Sequence, residues 1–172
     1  MSTPIELSPL TPLKKHATIN PAQKILSRRQ SPPMDETVIV IMQKDQTTGF
    51  LEKELGSYTV THENLIHNIF ALEAGSATNA HMRLTTERDL ADWEFSAVFD
   101  YYDEESLLGV CSLVTEDESG YNPIWEVVFE FSENQEIMQE RLGQILDLHK
   151  VELDSVYDAI KDLESEYSKG VE

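Results

Sequence analysis

Residues 124–167 read IWEVVFEFSENQEIMQERLGQILDLHKVELDSVYDAIKDLESEY, and the spacing of their apolar residues changes partway along. In Ile124–Phe131, Trp125, Val127 and Phe129 fall on one side of an extended chain, with Glu126, Val128 and Glu130 on the other. That is the two-residue period of a strand. From Leu142 the positions Leu142, Leu146, His149, Leu153, Val156, Ile160, Leu163 and Tyr167 advance by alternate steps of four and three. This is a heptad seam, broadened toward its start by Ile137, Met138, Ile145 and Leu148. Ser132-Glu133-Asn134-Gln135 has the form of a capping box, and Gly170 is a suitable stop. The pattern predicts a helix over about residues 133–168, roughly 50 Å long at the α-helical rise. A globule of this size is about 30–35 Å across by radius-of-gyration scaling. Part of the helix is therefore expected to project, to break, or to meet another chain.

Upstream, Thr37–Gln43 (TVIVIMQ) reads as a mostly buried strand, and Lys44–Gly49 as a polar turn. Phe50–Leu55 alternates and completes a hairpin, and Tyr58–Thr61 alternates again after Gly56-Ser57. Leu65–Leu72 is a further strand, followed by a turn at Ala74–Ala77. Asn79–Leu84 would pair with it, placing Ala80, Met82 and Leu84 on one face. At Thr86-Glu87-Arg88-Asp89 an N-capping pattern opens a helix in which Leu90, Trp93, Ala97 and Tyr101 form the stripe and Val98 and Tyr102 widen it. Leu107–Val114 and Ile124–Phe131 are two apolar strand runs separated by the loop Glu116–Gly120. The expected fold is α+β: a mainly antiparallel sheet of about 6–7 strands, one mid-chain helix and a long C-terminal amphipathic helix.

Charge divides the 172-residue chain. The net charge is −19, yet residues 1–33 carry Lys14, Lys15, Lys24, Arg28 and Arg29 against Glu6, a net of +4. They also hold six of the seven prolines. Prolines at this density remove backbone donors, so this segment reads as a disordered basic tail before a single acidic domain over 34–172. Three roles compete for it: an arm folding back on the acidic domain, a docking peptide, or a stretch outside the natural protein with Met34 as the start. From Met34 onward there are 8 basic and 31 acidic residues, a net of −23. Such a surface repels nucleic acid phosphates and anionic lipid. The single cysteine, Cys111, excludes an intramolecular disulfide, points to a cytoplasmic setting, and reads as a buried small hydrophobe. No stretch has the roughly 20 apolar residues of a membrane span.

Candidate sites are few. Asp100, Asp103, Glu104 and Glu105, or Glu116, Asp117 and Glu118, gather acids without the spacing of a cation loop, and read as solvated ends. His16, His62, His67, His81 and His149 are dispersed, so no metal or cofactor is expected; His67 and His81 would be brought near each other if their strands pair. His149 falls on the heptad seam, where a polar residue fixes register, and in a dimer its protonation near pH 6 would weaken the contact. Phe95, Phe99 and Tyr102 lie on a second face of the mid-chain helix, where they would offer an aromatic and acidic surface to a partner. Nucleotide, serine-hydrolase and zinc-protease motifs do not occur.

The stretches QKDQTTGFLEKEL (43–55), ERDLADWEFSAVFDYYD (87–103) and YNPIWEVVFEFSENQE (121–136) resemble a family of small acidic clostridial proteins known only as a domain of unknown function. The resemblance runs from about Met34 to the C-terminus and implies a cytoplasmic bacterial protein. It brings no activity, cofactor or site residue.

The favoured reading is a non-enzymatic interaction module, an acidic adaptor or regulator that self-associates through Leu142, Leu146, His149, Leu153, Val156, Ile160, Leu163 and Tyr167. The expected partners are a basic protein or a second copy of the chain, with no direct nucleic acid and no membrane. Three rivals remain: an acidic secretion-chaperone-like dimer holding a client, a nucleic-acid mimic occupying a basic groove, and an enzyme with a carboxylate site.

Overall fold

The computed structural model describes residues 35–169. The basic segment over 1–33 and the stop at Gly170 lie outside the described residues.

Two hairpins form the first four strands of the sheet. β1 (Thr37–Lys44) and β2 (Leu51–Val60) pair antiparallel. In the turn between them the Asp45 carboxylate accepts from the amides of Thr47 (2.7 Å) and Thr48 (2.8 Å), and Gly49 closes it at φ 80°. The runs 50–55 and 58–61 belong to one strand. Ile41 pairs with Gly56 and Met42 with Glu54, so Leu55 is a bulged extra residue and strand pairing continues past it. β3 (Ile66–Ala74) and β4 (Ala77–Leu84) form the second hairpin, with Gly75 at φ 67° in its two-residue turn.

The mid-chain helix α1 (Asp92–Tyr101) leads to β5 (Leu113–Asp117), β6 (Ile124–Glu130), the long helix α2 (Gln135–Ile160) and the short helix α3 (Glu164–Lys169). The six-stranded sheet runs β2-β1-β3-β4-β6-β5, antiparallel throughout except where β1 meets β3. The expected α+β class, antiparallel sheet and long terminal helix are all present.

One sheet face supplies the core. Ile41, Tyr58, Val60, Ala71, Ala80, Met82, Leu84, Trp125, Val127 and Phe129 alternate along their strands and are all buried. Ala97 and Val98 of α1 and eight residues of α2 close over them. On the opposite face Val38 is 63% exposed and Leu113 53%.

Three local expectations are corrected. The mid-chain helix begins at Asp92, not Thr86. The Thr86 hydroxyl donates to the Arg88 carbonyl (2.7 Å), and Asn122 ties the following segment down through the Leu90 amide and the Asp89 carboxylate (both 3.0 Å). The helix start is instead held by Glu94, which accepts from the Ala91 amide at 2.9 Å. Second, Leu107–Val114 is not a strand. A 3-10 turn at Glu104–Ser106, capped by Asp103, and a further turn bury Leu107 and Cys111 before the strand starts at Leu113. Third, α2 is capped by Asn134, whose side chain accepts from the amides of Glu136 (3.0 Å) and Ile137 (3.1 Å), and not by Ser132. Of the three outcomes that the length of the terminal helix implied, the structure shows the break: the helix ends after Ile160, and α3 folds back so that the Tyr167 hydroxyl donates to Asp100 at 2.8 Å.

Gln135 and Gln139, one turn apart on α2, reach the outer edge of β2. Gln135 Nε2 donates to the Ser57 carbonyl at 2.7 Å. Gln139 Oε1 accepts from the Thr59 amide at 3.0 Å, and its Nε2 donates to the Thr59 carbonyl. A side-chain amide thus occupies the place that another strand would take.

Candidate functional site

The heptad seam lies inside the molecule. Leu142, Leu146, His149, Leu153, Val156 and Ile160 are all buried in the domain's own core. Leu163 and Tyr167, displaced onto the turn and α3, are half-buried against it. A heptad repeat specifies an apolar stripe without naming its partner, and here the stripe faces the domain's own sheet and α1. Six of the eight residues are therefore enclosed in the chain's own core.

The aromatic group is likewise turned inward. Tyr102 stacks on Trp125 with ring centres 4.3 Å apart, Phe99 lies 5.4 Å from Trp125, and Phe95 meets Phe99 edge to face. Tyr102 is buried, and Phe95 and Phe99 are half-buried. The expected aromatic gripping surface is mostly core.

His149 sits beneath this cluster. Its Nε2 lies 2.8 Å from the Thr85 carbonyl and its Nδ1 2.7 Å from the Tyr102 hydroxyl. A carbonyl can only accept, so Nε2 carries the hydrogen and the neutral ring's Nδ1 accepts the Tyr102 O–H. Burial drives the imidazole pKa down to about 4, against a smaller upward pull from the Thr85 bond. The expected titration near pH 6 at a dimer seam is corrected on both counts: the ring is internal and holds its neutral form well below that pH. Burial also raises the Tyr102 hydroxyl.

Histidines 67 and 81 are not opposed. His67 is an extra residue where the β3–β4 register shifts, and His81 faces Phe70, stacking on it at 5.3 Å. His81 Nδ1 meets Glu126 at 3.0 Å. Among the described residues no three His, Cys, Asp or Glu side chains gather as a metal set.

The two acidic clusters influence each other at Glu116. Desolvation, then the hydrogen bond and charge of Glu104, raise the Glu116 carboxyl to about 7. Cys111 is buried, and desolvation pushes its thiol up to about 12, the behaviour of an inert core residue.

Charge is distributed unevenly over the surface. Six basic residues are engaged within the domain. Lys44 lies over the Phe70 ring at 3.7 Å, and Arg83 pairs with Asp117. Arg88 pairs with Glu94, Lys150 with Asp154 and Lys161 with Asp158. Arg141 donates to the Glu130 carbonyl. Along α2, Glu136, Glu140, Asp147, Asp154 and Asp158 are exposed on the solvent side. Between them a shallow groove of about 450 Å³ is lined by Gln139, Glu140, Gly143, Gln144, Asp147 and Leu148. The Gln139 amide and the exposed row on α2 were not singled out in the sequence, because a polar helix face carries no periodic apolar signal.

Fold and surface thus define a small acidic α+β domain in which a helical layer covers one face of a six-stranded sheet. The chain belongs to the family of unknown function DUF6762, whose family model matches residues 34–168. No curated protein and no solved structure matches it. No helix among the described residues is long and apolar enough to cross a membrane.

Proposed function

We propose that this domain is a non-enzymatic protein-interaction module whose acidic helical surface receives a basic segment of another protein. The supporting observation is the asymmetry of charge: most bases are tied to the domain's own groups, while a row of carboxylates on α2 faces solvent. Asp154 and Asp158 are matched by Lys150 and Lys161, and the remaining excess of one sign at Glu136, Glu140 and Asp147 steers opposite charge and speeds encounter. The exposed row Glu136, Glu140, Asp147, Asp154 and Asp158 advances by four, seven, seven and four residues along one helix face. That linear array also favours one of the rivals, a nucleic-acid mimic that fills a basic groove.

The test is capture from native lysate at low and high salt by the wild-type chain and by the triple variant Glu136→Gln, Glu140→Gln, Asp147→Asn. The expected result is one dominant basic protein, retained at low salt, released at high salt and lost with the variant. A dominant partner that is neutral or acidic, or that the variant retains unchanged, would overturn the proposal.

A further inference from the structure

The sheet has two outer edges, and the fold treats them differently. At β2 the side-chain amides of Gln135 and Gln139 bond to the backbone of Ser57 and Thr59. β5 lies at the other end and pairs with β6 alone among the described strands. Its outer side is accessible: Ser112, Leu113, Thr115 and Glu116 are all exposed.

The ladder identifies the groups that this edge presents. Successive residues of an antiparallel strand turn their amides and carbonyls to opposite sides. The Phe131 amide donates to the Thr78 carbonyl at 2.9 Å, so the odd-numbered residues of β6 bond to β4. The even-numbered ones bond to β5, as Val128 does in accepting from the Ser112 amide at 2.8 Å. Thr115, opposite Glu126, is therefore bonded inward, while Val114 and Glu116 direct their amides and carbonyls outward. These groups stand in register for a further strand. The flanking side chains are anionic on the helical face, where Glu116 lies opposite Trp125. Desolvation, then Glu104, Glu118 and Asp100, raises the Glu116 carboxyl to about 7. On the other face Asp117 is paired with Arg83, and Leu113 is apolar and exposed.

We infer that the outer edge of β5 is a docking site for an extended basic segment of a partner protein, which adds a seventh strand to the sheet. Lysine or arginine at alternate positions of that segment lies across from Glu116, and the apolar side chains between them lie by Leu113. Charge selects against a second copy, because pairing two β5 strands would bring together two sets of Glu116, Asp117 and Glu118. The inference goes beyond the acidic face of α2: it assigns a different surface and a mode of binding carried by the backbone.

The experiment uses the full chain and a short peptide that alternates lysine with valine, together with two derivatives N-methylated on the lysine amides or on the valine amides. Binding is followed at pH 8 by titration and by hydrogen exchange of single amides. The chains are wild type, Glu116→Gln and the triple variant Glu136→Gln, Glu140→Gln, Asp147→Asn. The expected result is that the parent peptide slows exchange at Val114 and Glu116 and leaves Thr115, already bonded to β6, unchanged. One methylated derivative should bind at least fivefold more weakly than the other, because only one alternate set of peptide amides faces β5. Glu116→Gln should weaken binding about threefold, the size of one exposed charge pair. The triple variant should show the same slowing at Val114 and Glu116 as wild type. Equal binding of the two methylated derivatives, or binding without slowing at those two amides, would overturn the edge while leaving the α2 reading standing. So would an absence of binding at low salt. Slowing that grows with protein concentration and needs no peptide would overturn the basic segment in favour of a second copy.

Discussion

Lowering the pH should cost this domain a definite share of its stability through His149. The imidazole is fully buried, donates from Nε2 to the Thr85 carbonyl and accepts the Tyr102 hydroxyl at Nδ1. Its pKa is near 4 in the fold, against 6.5 when unperturbed. Because the folded value is the lower one, the contribution is fully present above pH 6.5 and is lost as pH falls toward 4, where the unfolded chain takes up a proton that the fold refuses. Two and a half pKa units correspond to about 3 kcal/mol, of which about 2 kcal/mol is lost by pH 5. Against a domain stability of roughly 5–15 kcal/mol that is a large fraction. The assay is urea unfolding of wild type and His149→Gln at pH 7.5, 6.0 and 5.0. Carboxylate effects are common to both chains and cancel in the difference. The wild-type advantage should shrink by about 2 kcal/mol between pH 7.5 and 5.0. Parallel stability curves would refute the assignment of a buried neutral imidazole.

Two further outcomes follow from the same chemistry. Cys111 should react with a thiol reagent slowly in the native state and at the ordinary rate in urea, since its thiol is buried and its pKa raised to about 12; equal rates in the two states would contradict the packing. Glu116, raised to about 7 chiefly by desolvation and then by Glu104, favours folding at low pH and opposes it as pH climbs from the usual carboxyl range through 7. Glu116→Gln should therefore raise the melting temperature at pH 8, with the gain fading toward pH 4.5, and a gain independent of pH would count against the raised Glu116 carboxyl.

The fold was largely legible because strands and helices differ in the period of their apolar residues. Trp125, Val127 and Phe129 marked a buried strand face, and the step from Leu142 to Ile160 marked a buried helix face. What the period could not supply was the partner of that face. A coiled-coil seam and a stripe against one's own sheet can share the same spacing, and the choice depends on contacts between α2 and strands some eighty residues away. Leu107–Val114 misled for a related reason: Leu107 and Cys111 are buried from a turn, and burial without regular backbone looks like a strand when only hydropathy is read. The register shift at His67 was invisible because a bulge leaves no compositional mark. The exposed row on α2 is defined by where the core is not, so it became readable only once the core had been placed.

The amides of Gln135 and Gln139 on β2 also set an order of events during synthesis. Thr59 leaves the ribosome 80 residues before Gln139 does. Throughout that interval the outer edge of β2 lacks the amides that close it, and unpaired strand edges are what make incomplete chains associate with one another. The last long helix therefore both completes the core and seals the second strand made, so a ribosome stalled short of Gln135 would release a chain with that edge still open to a neighbour.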